Sequence, residues 1–274
     1  MQPKESQPEL SGLSELQRKI MGSFVAGEKV VIRAEDVQEA HPVGRKAANL
    51  ILSRLHQKGW LRRLRRSVYG VIPLESETTQ PAVENAWPLA MELFAPCYIS
   101  GWSAAEHWDL TEQIFNSISL VTGHPQRCAS QTIAGVRFRT RTIAQERIFG
   151  TSTIWFGSQK VRLADPHRLV LDVLDAPDFG GGCRHTMDVV DSYWKSEHHD
   201  SQLLLEYALR YGRGAVLKRI GFSAERAGVV SAEWLNEVEA NLTKGIVKLD
   251  PKGAVGGQLN GRWRLKVNIP LEAK

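Results

Sequence analysis

Apolar side chains recur at helical spacing near the start of the chain. The apolar face of the first predicted helix consists of Leu13, Leu16, Ile20 and Phe24. Ser14 and Gln17 are spaced as in a capping box, in which each side chain bonds the backbone of the other residue. Gly27 interrupts the pattern, so we expect this helix to run from about Ser14 to Gly27.

Two more helices and a hairpin are expected before residue 75. The second helix spans about Ala34–Ala40, and His41-Pro42 ends it because proline disfavours helical geometry in the residue before it. The third helix covers about Arg45–Lys58, with apolar residues on one face. Apolar residues then alternate around the polar turn at 65–67, which predicts a β-hairpin. This order of elements is typical of a winged helix-turn-helix, here assigned to residues 10–75.

A polar, proline-bounded stretch from Pro73 to Pro81 is the best candidate for a linker. After it the pattern predicts a larger domain of mixed helices and strands at 82–274. Its strands are expected at 97–100, 117–121, 136–142, 152–156, 160–163 and 262–269. Helices are expected at 83–94, from Ser103, from Asp165-Pro166 and over most of the chain after 184. The fold class is therefore α+β, with two domains.

Positive charge is concentrated at the N-terminal end. The whole chain has a formal net charge of +5, whereas residues 1–74 alone carry 13 Lys/Arg against 7 Asp/Glu. Between His41 and Leu74 there is no acidic residue. A basic stripe without counter-charge favours a polyanion such as DNA, because neutralising phosphates releases condensed counterions. A solvated basic surface is the alternative.

The third helix and the hairpin carry the candidate contacts to double-stranded DNA. The polar face of the helix presents Arg45, Lys46, Asn49 and Ser53. Arg or Lys can bridge guanine O6 and N7, and Asn can bridge adenine N6 and N7, in the major groove. The hairpin adds Arg62, Arg63, Arg65 and Arg66, which are placed to contact phosphates or enter a minor groove.

The sequence gives little support for a membrane-spanning segment, a disulfide framework or a metal site. No unbroken apolar run is long enough to span a membrane, and the polar first residues indicate a frayed tail in a cytoplasmic protein. The three cysteines lack CxxC spacing, and Cys183 with nearby histidines matches no standard zinc arrangement. We therefore expect no cofactor and no metal.

Two enzyme classes remain as alternatives. Ser103 follows a strand and precedes a helix, as in a nucleophile elbow, but Ala105 stands where that motif has glycine. A capping box of Ser103 with Glu106 explains the serine more simply. A nuclease would need acidic residues on its strands to hold Mg²⁺, and the predicted strands lack them. We expect no catalytic activity, and a ligand-sensing regulator is the third alternative.

Arg137, Arg139 and Arg141 alternate along one predicted strand. They either widen a nucleic-acid footprint or pair with acids of their own domain. The sequence does not choose between these two roles.

Five segments carry distinctive motifs: 52–55 (LSRL), 59–69 (GWLRRLRRSVY), 98–105 (YISGWSAA), 164–166 (ADP) and 262–265 (RWRL). In this order they resemble the AbiEi antitoxins of type IV (abortive infection) toxin–antitoxin systems. The family's hairpin often has glycine where this chain has Ser67, so we expect strain there if the position needs a positive φ.

The resemblance implies a bacterial or archaeal repressor that binds an inverted-repeat operator in its own promoter. It also implies a co-encoded nucleotidyltransferase toxin, which the C-terminal domain counteracts without a stable toxin–antitoxin complex.

Overall fold

The computed structural model describes residues 12–27, 29–72 and 86–271. The chain divides into two compact units. One comprises the chain up to Glu92 together with Thr132–Val136, and the other comprises Leu93–Gln131 and Arg137–Lys274. The predicted linker at Pro73–Pro81 lies outside the described residues, so the domain limits 10–75 and 82–274 stay a prediction. The chain is α+β, as expected.

The N-terminal elements follow the predicted order. They are α1 (Glu15–Ala26), α2 (Ala34–Ala40), α3 (Arg45–Gln57), β1 (Leu61–Arg65) and β2 (Val68–Val71). Ser14 caps α1 in a capping box with Gln17, and Gly27 ends the helix. His41 is extended, with φ −149° and ψ 143°, as the residue before a proline should be.

The core of these elements is formed by apolar residues from all three helices and the hairpin. Its members include Ile20, Phe24, Val37, Ala48, Leu52, Leu55 and Leu61. In the segment between α1 and α2, Ile32 forms an isolated antiparallel bridge with Tyr69. Its two backbone bonds, of 2.7 and 2.9 Å, attach the hairpin to the helical core.

A six-stranded mixed sheet with strand order β5-β6-β4-β3-β8-β7 belongs to the larger unit except for the residues within Thr132–Val136. Its strands are β3 (Cys97–Ile99), β4 (Ile118–Thr122), β5 (Ser130–Ile133), β6 (Val136–Thr142), β7 (Thr151–Phe156) and β8 (Gln159–Ala164). The strand β3 is antiparallel to β4 and parallel to β8. A second, three-stranded sheet is built from β9 (Val247–Lys248), β10 (Gln258–Asn260) and β11 (Leu265–Val267).

Seven α-helices and two short 3-10 helices, Gln145–Arg147 and Pro177–Gly180, complete the described chain. The α-helices are α4 (Ala86–Phe94), α5 (Gly101–His107), α6 (Pro166–Asp175), α7 (Cys183–Lys195), α8 (Ser201–Tyr211), α9 (Gly214–Ala227) and α10 (Ala232–Ala240). Asp165 caps α6 and Pro166 occupies its first turn, as the sequence predicts. Every residue from Pro166 to Leu174 is buried, so α6 is the central helix of this unit.

The prediction that Ser103 caps a helix in a capping box with Glu106 is wrong. The helix α5 begins at Gly101, so Ser103 lies inside it rather than capping it. The Ser103 hydroxyl accepts a hydrogen bond of 3.0 Å from the backbone N–H of Ser119 on β4. Its role is to join α5 to the sheet.

Among the described residues, no helix has the length and apolar character needed to cross a membrane.

Candidate nucleic-acid interface

The helix α3 has one buried and one exposed side. Ala48, Leu52 and Leu55 are completely buried. On the opposite side Lys46 is exposed and Ser53 is half-buried, and both point away from the core. A basic and a hydroxyl side chain are therefore available to a partner on the outer face of this helix.

Leu50 is a candidate that the sequence analysis missed. Its side chain is 51% exposed, and it lies between Lys46 and Ser53 at helical spacing. An apolar residue opposite the buried face has no role in the core. Its position four residues after Lys46 was the signal that could have revealed it.

Arg45 and Asn49 already have partners within the unit. Arg45 forms an ion pair of 3.1 Å with Glu35 on α2, and both side chains are largely exposed. Asn49 Nδ2 donates to the backbone oxygen of Arg45 at 3.1 Å. An exposed ion pair contributes little stability, so Arg45 can exchange Glu35 for a phosphate at low cost. Asn49 must give up its intrahelical bond before its amide group can donate to a base.

The hairpin places its four arginines in two environments. Arg63 and Arg66 are exposed, and neither forms an ion pair with a residue that the structure describes. Arg62 and Arg65 are half-buried, and burial lowers the pKa of each guanidinium. The exposed guanidinium groups of Arg63 and Arg66 are suited to contact phosphates directly.

The hairpin has an irregular register at its tip. Leu61, Arg62 and Arg63 pair with Val71, Gly70 and Tyr69, and the register shifts between Arg63 and Arg65. Ser67 then has φ +59°, in the left-handed region. Three-residue hairpin loops commonly use such a conformation with a bulge, and glycine adopts it without strain. The strain expected at Ser67 is therefore present in the folded chain.

The hairpin is also attached to the end of α3. His56 Nδ1 lies 2.8 Å from the backbone oxygen of Leu61, and the His56 ring lies against Tyr69 at 5.9 Å. Together with the bridge between Ile32 and Tyr69, this contact fixes the arginines relative to the outer face of α3.

Two residues of the motif at 98–105, Tyr98 and Ser100, belong to a buried network with the helix α6. Arg168 Nε donates to Asp172 at 3.1 Å, and both side chains are completely buried. Tyr98 and Ser100 donate to the same carboxylate at 3.0 and 2.8 Å. Arg168 also donates to the Tyr98 hydroxyl at 2.6 Å. These groups satisfy one another and join β3 to α6, so their role is structural.

The three strand arginines belong to their own unit. Arg141 pairs with Asp175, and the Arg139 guanidinium lies over the Trp102 ring at 5.1 Å. Arg137 is exposed. Arg141 therefore pairs with an acid of its own domain, as the second alternative states, whereas Arg139 packs against an aromatic ring.

The residues suspected of enzymatic or metal chemistry are not brought together. Ser103 is buried against the sheet, and no group of three or more potential metal ligands is found in the described part of the chain. Burial lowers the pKa of His185, and burial raises the pKa of Cys183 to about 12. The Cys183 thiol is therefore not activated in the way that a nucleophile or a thiolate ligand requires.

Comparison with known proteins supports the resemblance in the N-terminal part. Residues 23–72 match the family model described as "Transcriptional regulator, AbiEi antitoxin". This segment contains α2, α3 and the hairpin, so the resemblance drawn from the motifs is confirmed there. No curated protein matches the sequence significantly.

The fold as a whole is similar to a solved structure. The crystal structure of the RV2827C protein from Mycobacterium tuberculosis superposes with a TM-score of 0.63 at 12% identity. The similarity covers 93% of this chain and 92% of that one. At this identity the likeness concerns the fold alone.

Proposed function

We propose that this protein is a sequence-specific DNA-binding repressor that uses residues 10–75 as a winged helix-turn-helix. The observation that carries the proposal is the outer face of α3 beside an arginine-rich hairpin, within the segment that matches a family of transcriptional regulators. The protein acts in the cytoplasm on double-stranded DNA, and we assign it no catalytic activity.

In the proposed complex α3 enters the major groove, which is wide enough to admit a helix. Lys46 and Ser53 contact base edges, and Arg45 and Asn49 contact bases or phosphates at the N-terminal end of the helix. Arg62, Arg63, Arg65 and Arg66 contact the backbone on the side of the hairpin. The repressor recognises an inverted repeat in its own promoter.

Leu50 provides a test of base recognition that is separate from charge. An exposed leucine in the major groove can contact the methyl group of thymine. Leu50→Ala is expected to weaken binding to the chain's own promoter DNA by about tenfold, with little effect on random DNA, because only the specific complex buries the side chain. The affinities are measured by fluorescence anisotropy at fixed salt.

Val25→Ala is the matched control, because Val25 is a 54% exposed apolar residue on α1, in the same unit. It should leave both affinities unchanged. Equal losses on promoter and random DNA for Leu50→Ala would show that α3 does not read sequence through this face.

The family resemblance further supports an antitoxin role. We propose that the larger unit, in the domain assigned to residues 82–274, counteracts a nucleotidyltransferase toxin encoded in the same type IV operon, without a stable complex. Full-length chain expressed beside the neighbouring gene should restore growth, and Leu50→Ala should restore it equally well, since recognition of the operator belongs to the other unit. Failure of the wild-type chain to restore growth would refute the antitoxin role and leave the DNA-binding proposal standing.

A further inference from the structure

A cavity of about 460 Å³ opens on the larger unit, and its polar lining is basic. Arg141 and Thr142 line it from the end of β6, Arg147 from the segment that follows, and Tyr211 and Arg213 from the end of α8. This volume lies within the usual range of small-molecule sites.

The charges around the cavity do not balance. Asp175 is the carboxylate nearest to its arginines: it pairs with Arg141, accepts from the Tyr211 hydroxyl at 2.9 Å and lies 3.9 Å from Arg213 Nε. Burial alone would raise the pKa of Asp175, but these neighbours hold that pKa below its ordinary value, so the group is ionised at neutral pH. Three guanidinium groups therefore face one carboxylate, an excess of about two positive charges.

Arg147 contributes the cation with the fewest contacts. Its guanidinium has no hydrogen bond or ion pair with any described residue, although the residue is half-buried. Its backbone is fixed, because buried Arg168 donates to the Arg147 carbonyl oxygen at 2.7 Å. Arg213 is also available, since its side chain is 53% exposed and its contact with Asp175 is long. Two arginines, one of them on a firmly held backbone, thus face an open, water-accessible space.

We propose that this cavity binds a phosphate monoester. A phosphate monoester carries close to two negative charges at neutral pH, which matches the excess around the cavity. The planar guanidinium fork binds phosphate oxygens in pairs, and Arg147 and Arg213 have donors to offer. The volume allows a group of the size of a nucleoside to accompany the phosphate. The phosphate belongs either to a free nucleotide or to the 5′ end of a nucleic-acid strand.

The test is direct binding to the full-length protein, measured by isothermal titration calorimetry. Adenosine 5′-monophosphate should bind with a stoichiometry of one, and adenosine should not bind. Arg147→Ala and Arg213→Ala should each weaken binding by about tenfold or more, because each removes charge-assisted hydrogen bonds. Arg184→Ala, an exposed arginine on α7, should leave binding unchanged.

Two short single-stranded DNA oligonucleotides that differ only in a 5′ phosphate distinguish a free nucleotide from a strand end as the ligand. One outcome is that the wild-type protein binds the phosphorylated strand more tightly and does not bind the mononucleotide. If Arg147→Ala abolishes that preference, the ligand of the cavity is the 5′ end of a nucleic-acid strand. If neither probe binds, or if Arg147→Ala binds as tightly as wild type, the proposal is wrong. None of these measurements involves the operator, so their outcome is independent of the proposed repressor function.

Discussion

Replacing Arg168 with methionine is expected to destabilise the larger unit by about 3–5 kcal/mol, because it leaves the buried carboxylate of Asp172 without its cation. Arg168 and Asp172 are both completely buried and stand one helical turn apart on α6. Arg168 Nε lies 3.1 Å from Asp172 Oδ1. Arg168 also lies over the ring of Phe149 at 4.7 Å, so the substitution removes packing as well as charge. Urea denaturation of the full-length protein, followed by tryptophan fluorescence, measures the loss.

An exposed ion pair in the same unit is the control. Lys252 pairs with Asp178, and the two side chains are 78% and 39% exposed. Lys252→Met should change the free energy of unfolding by no more than about 1 kcal/mol, since exposed pairs are solvated and screened. A loss for Arg168→Met as small as that for Lys252→Met would show that the network is not essential to the fold.

The buried network around Arg168 also shows which contacts could not be predicted from the sequence. Helices α1, α2 and α6 were predicted closely because their signals are local: a capping box at Ser14, a proline at 42, an Asp-Pro start at 165. The partners of Arg168 come from Tyr98 and Asp172, which lie 70 residues before it and four after it. Spacing along the chain can indicate the pair with Asp172, one helical turn away, but it carries no signal for the long-range contact with Tyr98.

Ser103 shows how a local signal can mislead. Its spacing to Glu106 fits a capping box, but Gly101 has φ +59° and the helix begins there. A side chain at Gly101 would come within 2.8 Å of the Phe179 carbonyl oxygen and the Ser119 hydroxyl. The tight packing of the loop against its neighbours therefore decides where the helix begins, and this packing is tertiary.

The candidate interface was predictable in part. The polar face of α3 and the charges of the hairpin follow from periodicity and composition. The exposure of Leu50 follows from the same helical spacing, but the ion pair of Arg45 with Glu35 does not, because it depends on how α2 packs beside α3. Their contribution to DNA binding stays a prediction.

Removing the two exposed hairpin arginines is expected to weaken binding to every DNA sequence by about 30-fold at 0.15 M salt. Arg63 and Arg66 project from the hairpin, and each is proposed to neutralise one phosphate. Each lost phosphate contact lowers the magnitude of the slope of log K against log salt by about 0.9, so the double variant Arg63→Ala/Arg66→Ala should lose about 1.8. Titrations of promoter and random DNA at several salt concentrations give both quantities.

The ratio of specific to non-specific affinity should stay constant in this variant, because phosphates carry no sequence information. Arg184→Ala/Lys244→Ala removes the same net charge from exposed positions of the larger unit and is the control for a general loss of positive charge. If the wild type and the hairpin variant have similar slopes of log K against log salt, Arg63 and Arg66 do not contact phosphates. A loss confined to promoter DNA would instead show that the hairpin reads bases, as an arginine in a minor groove does.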